Sequence, residues 1–325
     1  MKGGLAGLVG DVGGTNARFA LVDEEGHIRF PRIFAARDYP SLSDIIAEYI
    51  GTTVGRKRPP TRAAIAVAGP VVDGEITFTN LDWVVSETDL VATFEFEAVN
   101  LINDFAAQAL AAPRLDEEDL KPIGPRLRGS ENCPIVVLGA GSGFGVAGLA
   151  RSNLDEVAVA TEGGHAGFAP TDDVEVQVWR RLKEIYGRVS IERLLSGPGL
   201  YDLYRTLAEM ESVNSELPDE KAVFEAAGQG DVLAGKTLDR FCGILGSVAG
   251  DLALTYGARG GVYVSGGIAP RMADRLAKGD FRRRFEDKGR LTEYVRQIPT
   301  SLIVHPYPAL VGAARELQQL GSNRL

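Results

Sequence analysis

The amino-acid sequence predicts an α/β protein of two lobes with a cleft between them. Its 325 residues exceed what one hydrophobic core usually organises, so two lobes of roughly 100 to 200 residues each are expected. Short apolar runs alternate with amphipathic helical segments, which is the pattern of βα units. A strand, a glycine turn and a second strand occur at residues 5–22 and again at 134–150, which indicates one such hairpin in each lobe.

The net charge of -9 argues against a chain that holds a nucleic acid or an anionic membrane surface. A small phosphorylated ligand is still possible, because backbone amides and a divalent cation can bind phosphates without a basic patch. We therefore predict small-molecule partners, and neither a nucleic acid nor a membrane.

Cys133 and Cys242 are the two cysteines of the chain, and they lie far apart in apolar surroundings. This usage predicts neither a disulfide framework nor a thiolate metal cluster, and it fits a reducing compartment. No apolar run has the length of a signal segment or of a membrane span. We expect a cytoplasmic protein.

The first lobe is predicted to combine a β-meander with βα units. Its expected strands cover residues 5–9, 17–22, 28–35, 63–68, 76–80 and 98–102. Ser41 and Ser86 each precede an amphipathic segment with an acid three positions later, which predicts two capped helices. The segment 111–133 is rich in Pro, Gly and charge, so the lobe boundary is placed near Arg114.

The second lobe is predicted to be helix-rich around its own sheet. Its expected strands cover residues 134–138, 146–150, 261–265 and 301–305, and its expected helices cover 174–185, 191–196, 199–210 and 238–256. A last helix at 309–320 is expected to return to the first lobe. The predicted domains are therefore residues 1–114 with about 306–325, and residues 115–305.

The first glycine turn, GDVGGTN at residues 10–16, has the composition of a phosphate loop. Gly13 and Gly14 allow successive N–H groups to point at one anion, and Thr15 adds a hydroxyl donor. Asp11 would repel a bare phosphate, but it would suit a hydrated Mg²⁺ between carboxylate and phosphate. An ordinary hairpin with a solvated Asp is the alternative.

The second glycine turn, GAGSGFG at residues 139–145, strengthens that interpretation. Ser142 stands where Thr15 stands in the first turn, so the two hairpins could close on the two ends of a triphosphate. The turn does not match the dinucleotide fingerprint, because its sixth position is Phe144. This disfavours a hydride-transfer enzyme.

A third motif, GDVLAGKT at residues 230–237, matches the P-loop pattern but lacks its context. The preceding residues 220–227 are helix-like where a P-loop follows a buried strand. The residues Val232 and Leu233 are bulky where phosphate needs room. We interpret the match as coincidental and expect Lys236 to be solvated.

Asp104 ends the apolar run NLIND, where a carboxylate would lie at the mouth of a cleft. Beside a bound γ-phosphate it could accept the proton of an attacking hydroxyl. A helix N-cap is an equally good interpretation of the residue alone.

The segment TEGGHAGF places Glu162 and His165 on either side of a tight glycine turn. Such a pair can accept and donate hydrogen bonds to neighbouring hydroxyls of a polyol, although a surface turn is the alternative. Zinc is not indicated, because three histidines and two scattered cysteines provide no ligand set. Glu192, following Ser190, would by itself only stabilise the first turn of a helix.

The chain resembles the bacterial glucokinases of the enterobacterial type, within the hexokinase and actin-like ATPase superfamily. The resemblance runs nearly end to end, through LVGDVGGTNARFALVD, INDF, GAGSGFGVA, EGGHAGFAP, RVSIERLLSGPGL, GGVYVSGGIAPR, FEDKGR and HPYPALVGAA in family order. It implies a two-lobed actin-like ATPase, or ribonuclease H-like, fold with mixed sheets and an interlobe cleft. It also implies a homodimer that phosphorylates D-glucose at the 6-hydroxyl with ATP and Mg²⁺.

The resemblance also assigns roles to individual residues. It implies that Asp104 is the general base, and that the sugar hydroxyls are bound by Asn80, Asn103, Asp104, Glu162, His165 and Glu192. It implies that ATP is bound by Gly10, Asp11, Val12, Gly13, Gly14, Thr15, Gly141, Ser142, Gly143, Gly266 and Gly267. Asp11 would hold Mg²⁺ through water. The cysteine-rich zinc motif of the related repressor, open reading frame and kinase group is missing, and Ser142 replaces the usual Thr.

Two other functions share this fold. A sugar-sensing regulator could keep the pocket, but the acidic charge does not suit DNA. A filament-forming ATPase would keep the phosphate hairpins but would have no use for Glu162, His165 and Glu192. The sequence leaves open the preference among hexoses and the use of other phosphoryl donors.

Overall fold

The computed structural model describes residues 5–53, 59–78, 80–153, 155–214 and 217–322. The strands are β1 (Leu5–Val12), β2 (Asn16–Asp23), β3 (Ile28–Ala35), β4 (Arg62–Val67), β5 (Glu75–Thr77), β6 (Val84–Ser86), β7 (Ala98–Asn103), β8 (Leu120–Pro122), β9 (Ile135–Ala140), β10 (Phe144–Arg151), β11 (Glu156–Thr161), β12 (Gly261–Ser265) and β13 (Thr300–Ile303). The helices are α1 (Leu42–Thr53), α2 (Glu87–Phe94), α3 (Asp104–Ala111), α4 (Asp173–Tyr186), α5 (Gly197–Met210), α6 (Glu220–Gly228), α7 (Val232–Tyr256), α8 (Ala273–Lys278), α9 (Phe281–Glu286), α10 (Thr292–Arg296) and α11 (Pro308–Ser322). None of these helices combines the length and apolar character that a bilayer crossing requires.

The chain divides into two units, Met1–Leu115 with His305–Leu325 and Asp116–Val304. The first unit contains a five-stranded sheet in the order β3-β2-β1-β4-β7. The first three strands form an antiparallel meander, and β1, β4 and β7 run parallel. Parallel strands end at one edge of a sheet, so the loops after β1, β4 and β7 lie on the same side of this unit.

Helix α11 packs on the sheet of the first unit. Its apolar face, including Leu310 and Leu317, is buried against Val9. Gly312 allows α11 to approach α3, because a methyl group at Gly312 would lie 1.7 Å from the carbonyl oxygen of Ala107. The C-terminal segment therefore belongs to the core that supports the loops after β1 and β7.

Glu316 on α11 provides a test of this packing through pH. Asn100 Nδ2 donates a hydrogen bond to Glu316 Oε1 at 2.6 Å, but burial raises the pKa of the carboxyl above its ordinary value. The native state therefore binds more protons than the unfolded chain, so stability falls as pH rises through the native pKa. We expect Glu316→Gln, which keeps the acceptor, to unfold at a higher temperature than wild type at pH 7. In thermal melts this gain in melting temperature should vanish below about pH 4.5, the ordinary pKa of the carboxyl in the unfolded chain. An equal gain in melting temperature at pH 4 and at pH 7 would contradict this explanation.

The second unit contains a six-stranded sheet in the order β11-β10-β9-β12-β13-β8. Strands β9, β12 and β13 run parallel, and β10, β11 and β8 add antiparallel partners. The long helix α7 lies in the core of this unit, where Phe241, Ile244 and Leu245 are fully buried. The loops after β9 and β12 share one edge of the sheet.

Most predicted elements are found, and the bounds of several differ from the prediction. The predicted helix at 191–196 is wrong, because only Ile191–Arg193 forms a 3₁₀ turn. Ser196 then adopts an extended conformation and caps α5, accepting a hydrogen bond from the Gly199 amide. The predicted strand at 76–80 ends at Thr77, and Thr79 lies outside the described residues. Helix α7 begins at Val232, earlier than expected.

The earlier start of α7 explains the P-loop-like motif. Asp231 caps the helix by accepting a hydrogen bond from the Ala234 amide, so GDVLAGKT spans a helix start instead of a phosphate loop. Lys236 is about half exposed and donates to Glu211 at 2.9 Å. Gly230 and Asp231 lie between α6 and α7, and residues 232–237 are the first residues of α7.

Candidate active site

The GDVGGTN loop forms the turn between β1 and β2. The Gly13 amide donates to the Asn16 carbonyl at 2.9 Å, and the Thr15 carbonyl accepts from the Ala36 amide at 2.9 Å. Neither Gly13 nor Gly14 has a positive φ. Space at Gly14 is tight, because a methyl group there would lie 3.1 Å from the Asn80 side chain.

Gly10 and Val12, which precede this turn, face the core. A methyl group at Gly10 would lie 2.7 Å from the Phe19 ring, and Val12 is fully buried. The Val12 carbonyl accepts a hydrogen bond from the Ala68 amide at 3.0 Å. Only backbone atoms of these two residues could therefore reach a ligand.

Asp11 lies on β1 directly opposite Arg18 on β2. Arg18 Nη1 donates to Asp11 Oδ2 at 2.9 Å. Burial removes water from the carboxylate and raises the pKa of Asp11, while the charge and hydrogen bond of Arg18 oppose that rise. The arginine thus compensates the lost hydration of the carboxylate only in part.

These residues fit a hydrated Mg²⁺. Among the described residues Asp11 Oδ1 has no hydrogen-bond partner, and the Thr15 hydroxyl lies in the exposed part of the same turn. A carboxylate oxygen and a hydroxyl are hard oxygen donors of the kind that Mg²⁺ prefers, with water completing its shell.

Asn103, and not Asp104, caps helix α3. Asn103 Oδ1 accepts from the amides of Phe105 at 3.0 Å and Ala106 at 3.1 Å, and its Nδ2 donates to the Gly69 carbonyl at 3.2 Å. Asn103 therefore keeps one N–H for a ligand. The capping role that the sequence allowed for Asp104 is wrong.

Asp104 is the first residue of α3, where its partly exposed carboxylate lies in the positive end of the helix dipole. Val12, Val67 and Asn103 are aligned across β1, β4 and β7. Two interstrand spacings separate β1 from β7, so Asp104 lies roughly 10 Å from the glycine loop along this edge. This edge of the first unit thus brings together Asp11, Thr15, Asn80 and Asp104.

In the second unit, the turn 141–143 joins β9 to β10. The Gly141 amide donates to the Gly143 carbonyl at 2.8 Å, and the Gly141 carbonyl accepts from the Gly197 amide at 2.8 Å. The second contact places the N-terminus of α5 against the turn. Ser142 is exposed at its tip, with its hydroxyl accessible to a ligand.

Glu192 is bound to this turn, although its position in the sequence indicated only a helix start. The Phe144 amide donates to Glu192 Oε2 at 2.9 Å. A methyl group at Gly143 would lie 2.5 Å from the same oxygen. The second oxygen of the carboxylate is left for another donor.

Glu162 and His165 lie on the 3₁₀ turn that follows β11. His165 Nε2 and Glu162 Oε2 are 3.8 Å apart, and both side chains are more than half exposed. Gly164 packs against β10, because a methyl group there would lie 2.1 Å from the Phe144 carbonyl oxygen. Phe144 thus contacts both this turn and Glu192, so Glu162, His165 and Glu192 gather around one hairpin.

Gly266 and Gly267 form the turn after β12, beside β9. Gly266 has φ of +85°, and a methyl group there would lie 2.4 Å from the Ala140 carbonyl oxygen. The Ile268 amide donates to that oxygen at 3.2 Å. Gly267 has open space around it, so a ligand at the 141–143 turn could extend past it.

Gly143 allows a test of the link between hairpin and carboxylate. We expect Gly143→Ala to push Glu192 from the Phe144 amide and to raise the KM for the expected sugar substrate about tenfold, the effect of roughly one lost charge-assisted hydrogen bond. Steady-state kinetics would measure it. Gly167→Ala is the matched control, because a methyl group there meets nothing within 4 Å. Equal KM values for the two variants would contradict the link.

Solved structures define the class of this protein. A glucokinase from an Antarctic psychrotroph matches with a TM-score of 0.87 at 38% identity and covers 96% of this chain and 98% of that chain. A ROK-family glucokinase from Streptomyces griseus, in complex with glucose and AMPPNP, matches in fold with a TM-score of 0.64 at 21% identity, covering 97% and 100%. The chain has the actin-like ATPase fold of the sugar kinases, which confirms the predicted fold class.

Sequence comparison identifies the family. The glucokinase family profile matches residues 8–320. The glucokinase of Caulobacter vibrioides is 51% identical over an alignment of 325 positions that covers 98% of this chain and 97% of that protein. The chain belongs to the glucokinase family.

Proposed function

We propose that this protein transfers the γ-phosphoryl group of MgATP to the 6-hydroxyl of D-glucose. The family and the identity of its relatives support the reaction. The observation that carries the mechanism is the position of Asp104, the first residue of α3, whose carboxylate lies on the same sheet edge as the glycine loop and accepts a hydrogen bond from the Phe105 amide at 2.9 Å.

Asp104 acts as general base in this proposal. It accepts the proton of the 6-hydroxyl as that oxygen attacks the γ-phosphorus. The positive end of the α3 dipole would stabilise negative charge on this carboxylate.

The sugar is held by side chains whose remaining hydrogen-bonding capacity suits hydroxyl groups. Glu192 has an oxygen left beside its bond to Phe144, and Asn103 has one N–H left beside its capping bonds. Glu162 and His165 offer an acceptor and a donor 3.8 Å apart, a separation that suits two adjacent hydroxyls. Asn80 would complete the set from beside Gly14.

Glycine turns are the proposed contacts of the nucleotide. The turn 13–15 and the turn 141–143 present backbone amides and the hydroxyls of Thr15 and Ser142 to phosphate oxygens. The Gly266–Gly267 turn borders the adenosine. When bound, Mg²⁺ held through water by Asp11 supplies positive charge that offsets the charge developing on the phosphates.

Two further statements stay predictions, namely a cytoplasmic location and a homodimeric state. Sedimentation equilibrium would decide the second, with a single species at twice the 34.7 kDa chain mass expected.

A phosphotransfer screen tests the proposed reaction. Several hexoses would be combined with ATP, ADP and polyphosphate, and ADP release from ATP would be followed with and without glucose. We expect glucose-dependent release of ADP. Release of the same amount without sugar would instead favour an ATPase of the filament type, and sugar binding without any transfer would favour a regulator.

A further inference from the structure

Arg271 carries a charge that no carboxylate of the described residues neutralises. Elsewhere in the second unit, carboxylates form ion pairs with Arg181, Arg240, Arg275, Arg282, Arg283, Arg284 and Arg296. The described residues provide Arg271 with neither an ion pair nor a hydrogen bond from its guanidinium. Its guanidinium carbon instead lies 3.8 Å from the ring centroid of Phe224.

Such a stack positions the arginine without occupying its N–H groups. One face of the planar guanidinium rests on the Phe224 ring, and Arg271 is an exposed residue. Stacking on an aromatic face limits the motion of the long side chain. The second face of the guanidinium can therefore receive another flat group.

The backbone of Arg271 follows directly from the Gly266–Gly267 turn. Residues Ala269–Met272 form a 3₁₀ turn, and the Arg271 amide donates to the Ile268 carbonyl at 3.1 Å. The Ile268 amide in turn donates to the carbonyl of Ala140, the last residue of β9. Arg271 is thus connected by two short steps to the residue before the 141–143 turn.

Phe224 reaches the same place from helix α6. Gly197 donates from its amide to the Gly141 carbonyl, and a methyl group at Gly197 would lie 3.6 Å from the Glu220 side chain. Phe224 is one helical turn after Glu220, so both side chains lie on one face of α6. Both partners of the stack therefore belong to segments that touch the glycine turn.

We propose that Arg271, supported by Phe224, stacks on the base of the bound nucleotide. This inference rests on the proposed function, because it assumes that the phosphates lie at the 141–143 turn. A base on the free face of the guanidinium would complete a sandwich of ring, guanidinium and base. The phosphates have amides and hydroxyls of their own, whereas the base needs a flat surface, and the Arg271–Phe224 stack provides one.

Stacking has a consequence for nucleotide selectivity. Every base has a π-face, so a stacking contact contributes affinity without reading the edge of the base. Removing the stack should weaken the binding of adenine and guanine nucleotides by similar factors. It should not affect a ligand that has phosphates and no base.

Calorimetric titration of the full chain tests this proposal directly. The probes are ADP, GDP and tripolyphosphate, each with Mg²⁺, and the variants are Arg271→Leu, Arg271→Lys and Phe224→Leu. We expect Arg271→Leu to raise the Kd of ADP and of GDP roughly 5- to 150-fold, the range that base stacking contributes, while tripolyphosphate binds as in wild type. Arg271→Lys should lose most of the same affinity, because its ammonium is not planar.

Phe224→Leu keeps the charge and should weaken ADP several-fold, which provides a second variant if Arg271→Leu folds poorly. Arg205→Leu is the matched control, because Arg205 also lies over a ring, that of Tyr201, but at 5.9 Å and on α5. We expect its nucleotide affinity to equal that of wild type.

Wild-type ADP affinity in Arg271→Leu or in Arg271→Lys would overturn the proposal. An equal loss of affinity for ADP and for tripolyphosphate in Arg271→Leu would also overturn it, because Arg271 would then be a phosphate ligand. Failure of the proposed function has a different signature. In that case the wild-type chain itself would bind no ADP and would transfer no phosphoryl group to glucose.

Discussion

Replacing Asp104 by asparagine is expected to lower turnover by about 10²- to 10⁴-fold, which is the range that a positioned general base contributes. Asparagine has nearly the same size and can still bond a hydroxyl, so the affinity for glucose should change little. The loss should therefore appear in kcat, and the Kd for glucose should stay within a few-fold of wild type. Stopped assays with MgATP and calorimetry with glucose would separate the two quantities.

Asp89→Asn is the matched control for this substitution. Asp89 is likewise an acid in the first turn of a helix of the first unit, namely α2, where Ser86 is the cap. The control removes the same charge from the first turn of a comparable helix, and Asp89 is an exposed residue with no part in the proposed site. Similar kcat losses in both variants, or near-normal turnover in Asp104→Asn, would refute the assignment of the base.

Replacing Glu175 by glutamine is expected to have the largest effect on stability. Glu175 is fully buried at the start of α4, where its Oε1 accepts from Arg284 and Arg240 and its Oε2 accepts from the amide and hydroxyl of Thr171. A carboxylate accepts at both oxygens, whereas an amide must place an NH₂ group against one set of donors. Asp172, the cap of α4, also binds Arg240.

The substitution would leave the buried charge of Arg284 without its partner, which costs about 3–5 kcal/mol when one member of a buried pair is removed. For a protein of this size we expect the second unit to melt roughly 6–12 °C earlier in differential scanning calorimetry. Glu184→Gln is the control on the same helix, because Glu184 is exposed and pairs with Arg181 at the surface. A melting temperature for Glu175→Gln equal to that of the control would contradict this account of the ion-pair cluster.

Much of the fold could be predicted from local signals in the sequence. Ser41 and Ser86 cap helices as expected, and the segments 28–35 and 261–265 form strands with the predicted bounds. These segments combine a clear period with a capping residue or a flanking turn, so the local preference and the tertiary structure agree.

Other features depend on contacts that local patterns do not contain. Asn103 takes the cap of α3 because it can bond two amides of the helix and the distant carbonyl of Gly69 at the same time. Glu192 reaches the amide of Phe144, 48 residues earlier in the chain. Sequence periodicity describes only the helix or turn in which a residue lies, so it predicts neither of these contacts with distant residues.

Arg18 is a functional residue that the sequence reasoning missed, although a signal existed. Once β1 and β2 are joined by the short turn at residues 13–15, Val12 must oppose Ala17 and Asp11 must oppose Arg18. The register of the hairpin therefore predicts that a cation, Arg18, lies next to Asp11, the carboxylate predicted to bind magnesium through water.

The most direct test of the proposed reaction is phosphorus NMR of a mixture of this protein, MgATP and glucose. We predict a growing resonance of a phosphate monoester that couples to the two protons of C6, together with one equivalent of ADP and no formation of inorganic phosphate. The formation of inorganic phosphate at the same rate with and without glucose, or a monoester on another carbon, would contradict the proposal.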